Sequence, residues 1–157
     1  NYILSSDTLK IKVLACKLEQ SVDNWQLKDA PMLTKMGDLL YFQDQKTEAE
    51  LWYRRALEMN PEESHTLNNL AWLLTEKHNN DKKRLRESLE LAQKASTLKQ
   101  AAFIWDTLAE AYLINGKYEA AADAARQALK LAKAKVGLTR GTNLDYYRER
   151  LERITGE

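Results

Sequence analysis

Two carboxylates one helical turn apart, Asp106 and Glu110, come closest in this sequence to a catalytic pattern. Residues four apart lie on the same face of a helix, so the pair could act as a general acid and a general base. The other interpretation is the like-charged rim of a binding groove. We favour the groove, because catalysis needs further converging groups and the rest of the sequence offers none.

The other residues capable of chemistry are isolated from one another. His65 and His78 have no partner at a metal-binding helical spacing. Cys16 is the only cysteine, so it forms neither an internal disulfide nor a cysteine metal site, and we interpret it as a small packing residue. Glycine-rich phosphate loops and activated-serine motifs are missing. We therefore expect a protein that is not an enzyme and holds no metal or cofactor.

A basic stretch, KHNNDKKRLR at residues 77–86, could neutralise phosphates. It places four cationic side chains within five residues: Lys82, Lys83, Arg84 and Arg86. Acidic residues flank the stretch, and no aromatic residues are interleaved to stack on bases. We interpret it as a solvated face; the alternatives are a protein or membrane-surface contact and nucleic-acid binding. The net charge of +1 provides no general attraction to nucleic acid, which we do not expect as a partner.

Long helices must position these side chains. The 157 residues include only two prolines and five glycines, and such sparse breakers favour long helices joined by short turns. With 44% apolar and 30% charged residues, the composition is typical of a soluble, well-folded domain. No apolar run is long enough to span a membrane, and no signal-peptide pattern is present. Because the chain begins at Asn1 rather than at methionine, we expect a piece of a longer protein and predict no compartment.

The sequence contains an internal repeat. The segment MLTKMGDLLYFQDQKTEAELWYRRALEMNP, residues 32–61, aligns without a gap with residues 104–133. Similar residues pair at a constant offset of 72: Gly37 with Ala109, Leu40 with Tyr112, Ala49 with Ala121 and Ala56 with Ala128. A third copy lies between them, since Ala71 follows Gly37 by 34 residues and Ala95 follows Ala56 by 39. The middle copy therefore carries about five extra residues between its two helices.

Small residues recur where the two helices of each copy should touch. Antiparallel helix axes lie about 8–10 Å apart, and small side chains allow the closest approach. The small residues are, on the first helices, Gly37, Ala71 and Ala109, and on the second helices, Ala49, Ser88 and Ala121. Larger residues such as Trp105, Leu108 and Tyr112 would fill the space between successive pairs. Gly116 is expected to end a helix in the left-handed conformation.

This pattern resembles the tetratricopeptide repeat, a 34-residue helix–turn–helix unit, over residues 30 to about 133. Pro61 closes the first copy, whereas Lys133 stands in that place in the third. The resemblance implies an all-α fold, a right-handed solenoid of antiparallel helix pairs with a capping helix at each end. The predicted segments are a cap and connector at 1–29, repeats at 30–63, 64–101 and 102–135, an insertion in the second repeat at about 76–86, and a C-terminal cap at 136–157.

Both ends are predicted to form amphipathic helices outside the repeats. Residues 6–20 place apolar residues on one face: Ile11, Leu14, Ala15 and Leu18. Near the C-terminus, NLDYYRERLERI does the same with Leu144, Tyr147, Leu151 and Ile154. A solenoid needs a terminal element with a polar outer face. We interpret Arg148, Arg150 and Arg153 as that solvated face.

The resemblance also implies a function, that of a non-catalytic protein–protein interaction module. In the family the first helices line a concave groove that binds a peptide or helix of a partner. The groove-facing positions here are Thr34, Asp38, Tyr41, His65, Asn69, Trp72, Thr75, Phe103, Asp106, Glu110 and Leu113. Asn69 matches a family position whose amide pairs with the ligand backbone, and Tyr41 and Trp72 are candidate aromatic anchors. A solvated Asn69 and a Trp72 packed between repeats are the alternatives.

The charge of these positions predicts the kind of partner. Family members that bind the acidic C-termini of chaperones hold a carboxylate with lysine, arginine and asparagine. The corresponding positions here include Thr34, Asp38, Phe103 and Thr107, and only Asn69 matches. With acidic rather than basic residues in the groove, we expect a neutral or basic segment to bind.

Two other functions are compatible with the sequence. Trp25 and Trp52, if exposed, would form an apolar patch that could drive a homodimer. The chain could also be an accessory scaffold domain of a larger enzyme or of a membrane-anchored protein.

Overall fold

The computed structural model of the protein describes residues 13, 29–76, 81–135 and 143–156. In these ranges the regular elements are seven α-helices: α1 (Ala30–Phe42), α2 (Lys46–Met59), α3 (Ser64–Glu76), α4 (Lys82–Leu98), α5 (Ala102–Ile114), α6 (Tyr118–Lys135) and α7 (Leu144–Thr155). Apart from Val13, the predicted N-terminal helix at 6–20 lies outside the described residues, as do Cys16, Trp25 and His78. The chain divides into two compact units, Asn1–Pro61 with α1 and α2, and Glu62–Glu157 with α3 to α7.

The first unit contains the α1–α2 hairpin. Pro31 lies in the first turn of α1, where its missing N–H costs no helical hydrogen bond. The reversal depends on Asp44, whose φ of 58° is in the left-handed region that aspartate tolerates better than most residues. The N–H groups of Asp44 and Gln45 donate to the carbonyls of Tyr41 and Leu40, both at 2.9 Å. The end of α1 is therefore capped as the chain turns.

Gly37 is a point of very close approach between α1 and α2. A Cβ atom on Gly37 would lie 2.5 Å from Cε1 and 2.6 Å from Cδ1 of Tyr53. Tyr53 is 1% exposed, and its hydroxyl donates to Asp38 Oδ1 at 2.8 Å, which holds the ring against the glycine. The predicted helix contact at Gly37 is thereby confirmed. The same hairpin buries four large side chains: Leu33, Met36, Leu40 and Trp52.

In the second unit, α3 packs against α4, α5 against α6, and α7 against α6. The positions predicted for close helix approach are each 0% exposed: Ala71, Ser88, Ala109 and Ala121. Small and leucine side chains from four helices build a common core: Ala71, Leu89, Ala92, Leu108, Ala109, Ala111, Ala124 and Ala125. Trp105 and Tyr112 pack against this core, as predicted for the larger residues between successive pairs.

A left-handed glycine and two polar side chains stabilise the helix ends and turns of the second unit. Gly116 follows α5 with a φ of 71°, the left-handed conformation predicted for it. Asp81 caps the N-terminus of α4 and accepts the N–H of Lys83 at 2.9 Å. The amide Nδ2 of Asn115 donates to the carbonyl of Leu85 at 2.8 Å. Asn115 therefore ties the second hairpin of this unit to the first.

The interpretation of Trp52 as part of an exposed patch for self-association is wrong. Its side chain is 1% exposed, because α2 turns Trp52 and Tyr53 toward the interior of the hairpin. The guanidinium of Arg55 lies 5.5 Å from the centroid of the Trp52 ring. Among the described residues, no helix is both long and apolar enough to cross a membrane.

Candidate binding face

The first helices of the two hairpins in the second unit, α3 and α5, bring predicted groove residues together. On α3 these residues are spaced i, i+4 and i+7, and on α5 they are spaced i, i+3 and i+7, so each row lies on one side of its helix. Side-chain contacts join the two rows. The name α3–α5 face is used here for six residues: His65, Asn69, Trp72, Phe103, Asp106 and Glu110.

The N-terminal end of the α3–α5 face is aromatic and amide in character. The rings of His65 and Phe103 meet edge to face, with centroids 6.2 Å apart. Nδ2 of Asn69 lies 3.2 Å from Nε2 of His65, one turn along α3. The Lys99 ammonium lies 5.8 Å from the centroid of the Phe103 ring. His65 is exposed and Phe103 is 39% exposed, so a ligand can reach both rings.

The C-terminal end of the α3–α5 face is an ionic cluster that α7 completes. Asp106 accepts a hydrogen bond from the Tyr146 hydroxyl at 2.7 Å and from Arg150 Nε at 2.8 Å. Glu110 accepts from Arg150 Nη1 at 2.9 Å and from Arg153 Nη2 at 2.5 Å. The Arg150 guanidinium therefore bridges two carboxylates that lie one turn apart on α5.

Arg150 also contacts aromatic rings. Its guanidinium carbon lies 5.7 Å from the centroid of the Trp72 ring on α3 and 5.9 Å from that of Tyr146 on α7. These distances suit cation–π attraction, which strengthens when the cation is removed from water. Trp72 is half-buried, so it contributes both packing and a face for the cation.

The prediction that the arginines of α7 form a solvated face is wrong for Arg150. Its side chain is only 12% exposed, against 52% for Arg148 and 53% for Arg153. Arg148 pairs with Asp145 of its own helix at 2.7 Å and remains at the surface. The difference arises because a long arginine stem can bury itself while its head reaches a charge, and the charge here lies 40 or more residues away in the sequence.

The ionic cluster shifts the protonation equilibria of its members. Burial, followed by the hydrogen bond to Asp106, raises the pKa of Tyr146 to about 12. Burial also raises the pKa of Tyr147, and the charge of Asp106 adds to this effect. Burial lowers the pKa of Arg150, but the charges of Asp106 and Glu110 outweigh it, and the net shift is upward. Arg150 is therefore held as a cation.

The predicted groove residues of the first unit have partners within their own hairpin. Thr34 is 4% exposed, and its hydroxyl donates to the carbonyl of Ala30 at 3.2 Å. Asp38 accepts the Tyr53 hydroxyl at 2.8 Å. Tyr41 is half-buried, with its ring edge-to-face against that of Phe42. The structure therefore places Thr34 in the interior of the hairpin and leaves Tyr41 the more accessible of the two.

Three further residues that the sequence relates to the groove, Thr75, Thr107 and Leu113, also lie on α3 and α5. Thr75 is 1% exposed, and its hydroxyl donates to the carbonyl of Trp72 at 2.6 Å. Thr107 is 3% exposed and donates to the carbonyl of Phe103 at 3.1 Å. Leu113 is half-buried. The two threonine hydroxyls are therefore satisfied by the backbone of their own helices.

Sequence reasoning missed the contribution of α7 to this face. Tyr146, Arg150 and Arg153 contact the acid pair, although they were assigned only to a capping helix. One signal was present: an Arg–x–x–Arg pair in a terminal helix matches two carboxylates one turn apart. The periodicity of α7 shows which of its residues are apolar, but it does not reveal which neighbour lies beside its charges.

A depression lies at the start of α4. Its volume is about 450 Å³, and it is lined by Lys82, Leu85, Arg86, Ile114 and Asn115. Two of the polar side chains there bond the backbone, because Arg86 Nε donates to the Lys82 carbonyl at 3.3 Å and Asn115 donates to that of Leu85. Residues 82–86 of the predicted insertion belong to α4, and 77–80 lie outside the described residues. In the part of the chain that the structure describes, no three side chains are grouped to hold a metal ion.

Helical hairpins of similar length, joined through small residues, define the class of helical-repeat scaffolds. The family model for the tetratricopeptide repeat matches residues 30–63 and 104–135, and a second model of the same repeat matches residues 52–84. The chain belongs to the tetratricopeptide repeat family. Membership makes it a protein–protein interaction module in general, in a family of typically non-catalytic scaffolds that bind proteins or peptides.

Solved structures show the same fold, whereas a search of curated proteins found no match. The tetratricopeptide repeat domain of Arabidopsis OM64 has a TM-score of 0.65 at 17% identity, over 83% of this chain and 98% of that one. The corresponding domain of Sgt2 from Aspergillus fumigatus has a TM-score of 0.65 at 17% identity, over 82% and 78%. The MamA protein has a TM-score of 0.56 at 17% identity, over 82% and 74%. The all-α, tetratricopeptide-like fold predicted from the sequence is confirmed.

Proposed function

We propose that the protein binds a peptide or helix of a protein partner on its α3–α5 face, without catalysis, and that the bound segment is neutral or basic. The observation that carries the proposal is the pairing of accessible aromatic rings with carboxylates on one face. His65 and Phe103 are exposed at one end, and at the other end Asp106 and Glu110 form ion pairs with arginines of α7.

The aromatic end supplies contact area. Phe103 is a large apolar residue that is 39% exposed beside His65, and aromatic residues of this kind are frequent anchors in interfaces. Asn69 lies next to these rings, and its amide has donors and an acceptor that suit the main chain of a ligand. A segment of either extended or helical form can therefore be held at this end.

The acidic end supplies charge selectivity. Asp106 and Glu110 both bind guanidinium groups, so the chemistry of this end favours a basic segment over an acidic one. The same contacts support a non-catalytic role, because both carboxylates are engaged in ion pairs rather than placed beside a reactive group.

The proposed organisation keeps three repeats at 30–63, 64–101 and 102–135, with caps at 1–29 and 136–157. The contribution of Thr34, Asp38 and Tyr41 to ligand binding stays a prediction for the first repeat.

A capture experiment with matched variants tests the proposal. The wild-type chain, a His65→Ala/Phe103→Ala variant and a Tyr118→Ala variant are used as bait in extracts of the source cells. Tyr118 is 67% exposed and lies outside the α3–α5 face, so its replacement removes a comparable ring from another surface. Burying a large apolar side chain contributes about 1.5–3 kcal/mol. We therefore expect the double variant to retain at least about tenfold less of a partner that the other two baits capture.

Circular dichroism spectra of the three proteins must coincide, which is expected because the replaced side chains are exposed. Equal capture of every protein by all three baits would contradict the proposed face. Capture of nothing by the wild-type chain would contradict the proposed function.

A further inference from the structure

The acidic end of the α3–α5 face is filled by the chain's own terminal helix. Arg150 of α7 contacts both Asp106 and Glu110, and Arg153 contacts Glu110. The Tyr146 hydroxyl donates to Asp106 at 2.7 Å. These three side chains reach the residues of α5 that the sequence predicts to face a ligand, so α7 occupies the place that a basic segment of a partner would take.

The packing and hydrogen bonding of α7 at the acidic end of the α3–α5 face are incomplete. In α7, which is described throughout, no residue is fully buried. Its apolar side chains Leu151 and Ile154 are half-buried against the core. Nη2 of Arg150 is buried and finds no hydrogen-bond acceptor among the described residues, so both N–H groups of this nitrogen stay unsatisfied. A helix of 12 residues is also too short to be stable without its tertiary contacts.

We propose that Asp106, Glu110 and Trp72 form an arginine-binding site, which α7 occupies in competition with a helical segment of a protein partner. The partner segment carries two arginines three residues apart, the spacing of Arg150 and Arg153. This inference rests on the proposed function and adds the chemical class of the partner.

Arginine suits this site better than lysine. Its planar guanidinium presents several donors in a fixed arrangement, and in the structure one guanidinium bonds Asp106 through Nε and Glu110 through Nη1. The same group lies over the Trp72 ring. A lysine ammonium is a compact charge on a flexible stem, so it would not span two carboxylates and lie over an indole in this way.

The competition has a predictable size. Eight residues separate Lys135, the end of α6, from Leu144, the start of α7. A helix tethered this closely has an effective concentration on the order of 1 mM. If α7 itself binds the open site with a dissociation constant of about 10 µM, a partner segment would bind about 100-fold more weakly while α7 is tethered than to the open site.

The test uses a labelled peptide of residues 143–156, NLDYYRERLERITG, and the full-length chain. Fluorescence anisotropy measures its binding to the wild type, to Arg150→Gln/Arg153→Gln, and to Arg126→Gln/Arg148→Gln. The last variant is the matched control, because Arg126 pairs with Asp123 and Arg148 with Asp145, each within its own helix, and the two arginines are 54% and 52% exposed. A second peptide has glutamine at positions 150 and 153.

We expect the Arg150→Gln/Arg153→Gln chain to bind the arginine peptide at least tenfold more tightly than the wild type and the matched control do. The glutamine peptide should bind none of the three detectably. Equal dissociation constants for the three chains, or equal binding of the two peptides, would overturn the proposal.

If the Arg150→Gln/Arg153→Gln variant does not fold, a measurement on the wild-type chain tests whether the peptide displaces α7 from the arginine-binding site. Hydrogen exchange of Leu144–Thr155 is followed with and without the arginine peptide at about 1 mM, where displacement of the tethered helix should be substantial. The amides of α7 should exchange severalfold faster with the peptide present. Unchanged exchange at that concentration would overturn the proposal.

The two proposals fail separately. Capture from extracts depends on His65 and Phe103, whereas peptide binding depends on the acid pair of α5. If capture depends on the rings but the peptide does not bind, the binding face stands and the arginine-binding site is rejected. If the extracts yield no partner but the peptide binds the Arg150→Gln/Arg153→Gln chain, the arginine-binding site stands and the proposed function is rejected. The occupant of the site is then α7 of the same chain or of another copy.

Discussion

Replacing Gly37 with alanine tests how tightly α1 and α2 are packed. The added Cβ would lie 2.5 Å from a ring carbon of Tyr53, about 1 Å inside ordinary carbon–carbon contact. The ring cannot move outward freely, because Tyr53 is 1% exposed and its hydroxyl bonds Asp38 at 2.8 Å. Either the ring shifts and strains that hydrogen bond, or the two helices separate.

Three effects determine the change in the free energy of unfolding: two destabilise the protein and one stabilises it. Overpacking a well-filled core costs about 1–3 kcal/mol, and a weakened hydrogen bond to a charged acceptor adds to that cost, up to about 1.5–3 kcal/mol if it is lost. Alanine in the middle of a helix regains about 0.5–1 kcal/mol over glycine. Because the steric cost exceeds the gain in helix propensity, we expect Gly37→Ala to lower the free energy of unfolding by about 2 kcal/mol.

Urea unfolding followed by far-ultraviolet circular dichroism measures this change. In thermal unfolding, the same difference corresponds to a decrease in Tm of about 4–8 °C for a chain of this size. A Tyr53→Leu background supplies the control, because the ring is absent there and Gly37→Ala should become neutral or stabilising. If Gly37→Ala stabilises the wild-type chain as much as it stabilises the Tyr53→Leu chain, the claim that this ring makes glycine necessary is refuted.

Three further predictions concern the second unit. Ala125, in the core, is 2% exposed, so Ala125→Leu should lower the free energy of unfolding by about 1–3 kcal/mol through overpacking. The control is Ala134→Leu, at an exposed position of the same helix, which should change that free energy by less than about 0.5 kcal/mol. Equal urea midpoints for the two variants would contradict this prediction. Asn115→Ala removes a hydrogen bond between the two hairpins and should lower the free energy of unfolding, measured with urea, by about 0.5–1.5 kcal/mol. The Leu85 carbonyl keeps the Ser88 hydroxyl as a donor at 2.8 Å, so the cost is that of one hydrogen bond; an unchanged midpoint would argue against that link. The pKa of Tyr146 is raised from 10.0 to about 12 by burial and the hydrogen bond to Asp106. Because this pKa is raised in the folded state, the contact stabilises the protein fully below pH 10, and its contribution is lost as the pH rises through about 12. In a pH titration of tyrosinate absorbance, the wild type should show a step near pH 12 that Tyr146→Phe lacks.

The sequence alone was sufficient to predict the helical hairpins. Gly37, Ala71 and Ala109 recur at a spacing near that of one helix pair, and steric exclusion allows only small residues where two helix axes come close. The structure confirms this at Gly37 against Tyr53 and at the fully buried Ala71 and Ala109. Local rules also predicted the left-handed Gly116, because a helix end needs only nearby backbone groups.

The rows of the candidate face could be predicted for the same reason. His65 and Asn69 on α3, and Asp106 and Glu110 on α5, share a side of their helices by periodicity alone. Periodicity does not give the distance between side chains on different helices. It also does not separate a buried aromatic residue from an exposed one, and Trp52 was therefore assigned to a possible surface patch although it is 1% exposed.

Only the tertiary structure decided how the charges are paired. Arg148, Arg150 and Arg153 look alike in the sequence of α7, yet Arg150 alone is largely buried, between Asp106 and Glu110. A charge pair between residues 44 apart in the chain depends on where two helices are placed in space, and no local rule of helix formation contains that distance. The sequence by itself determined the helices and their small contact residues, because steric fit repeats along the chain; the occupant of the acidic site was decided by the packing of α7.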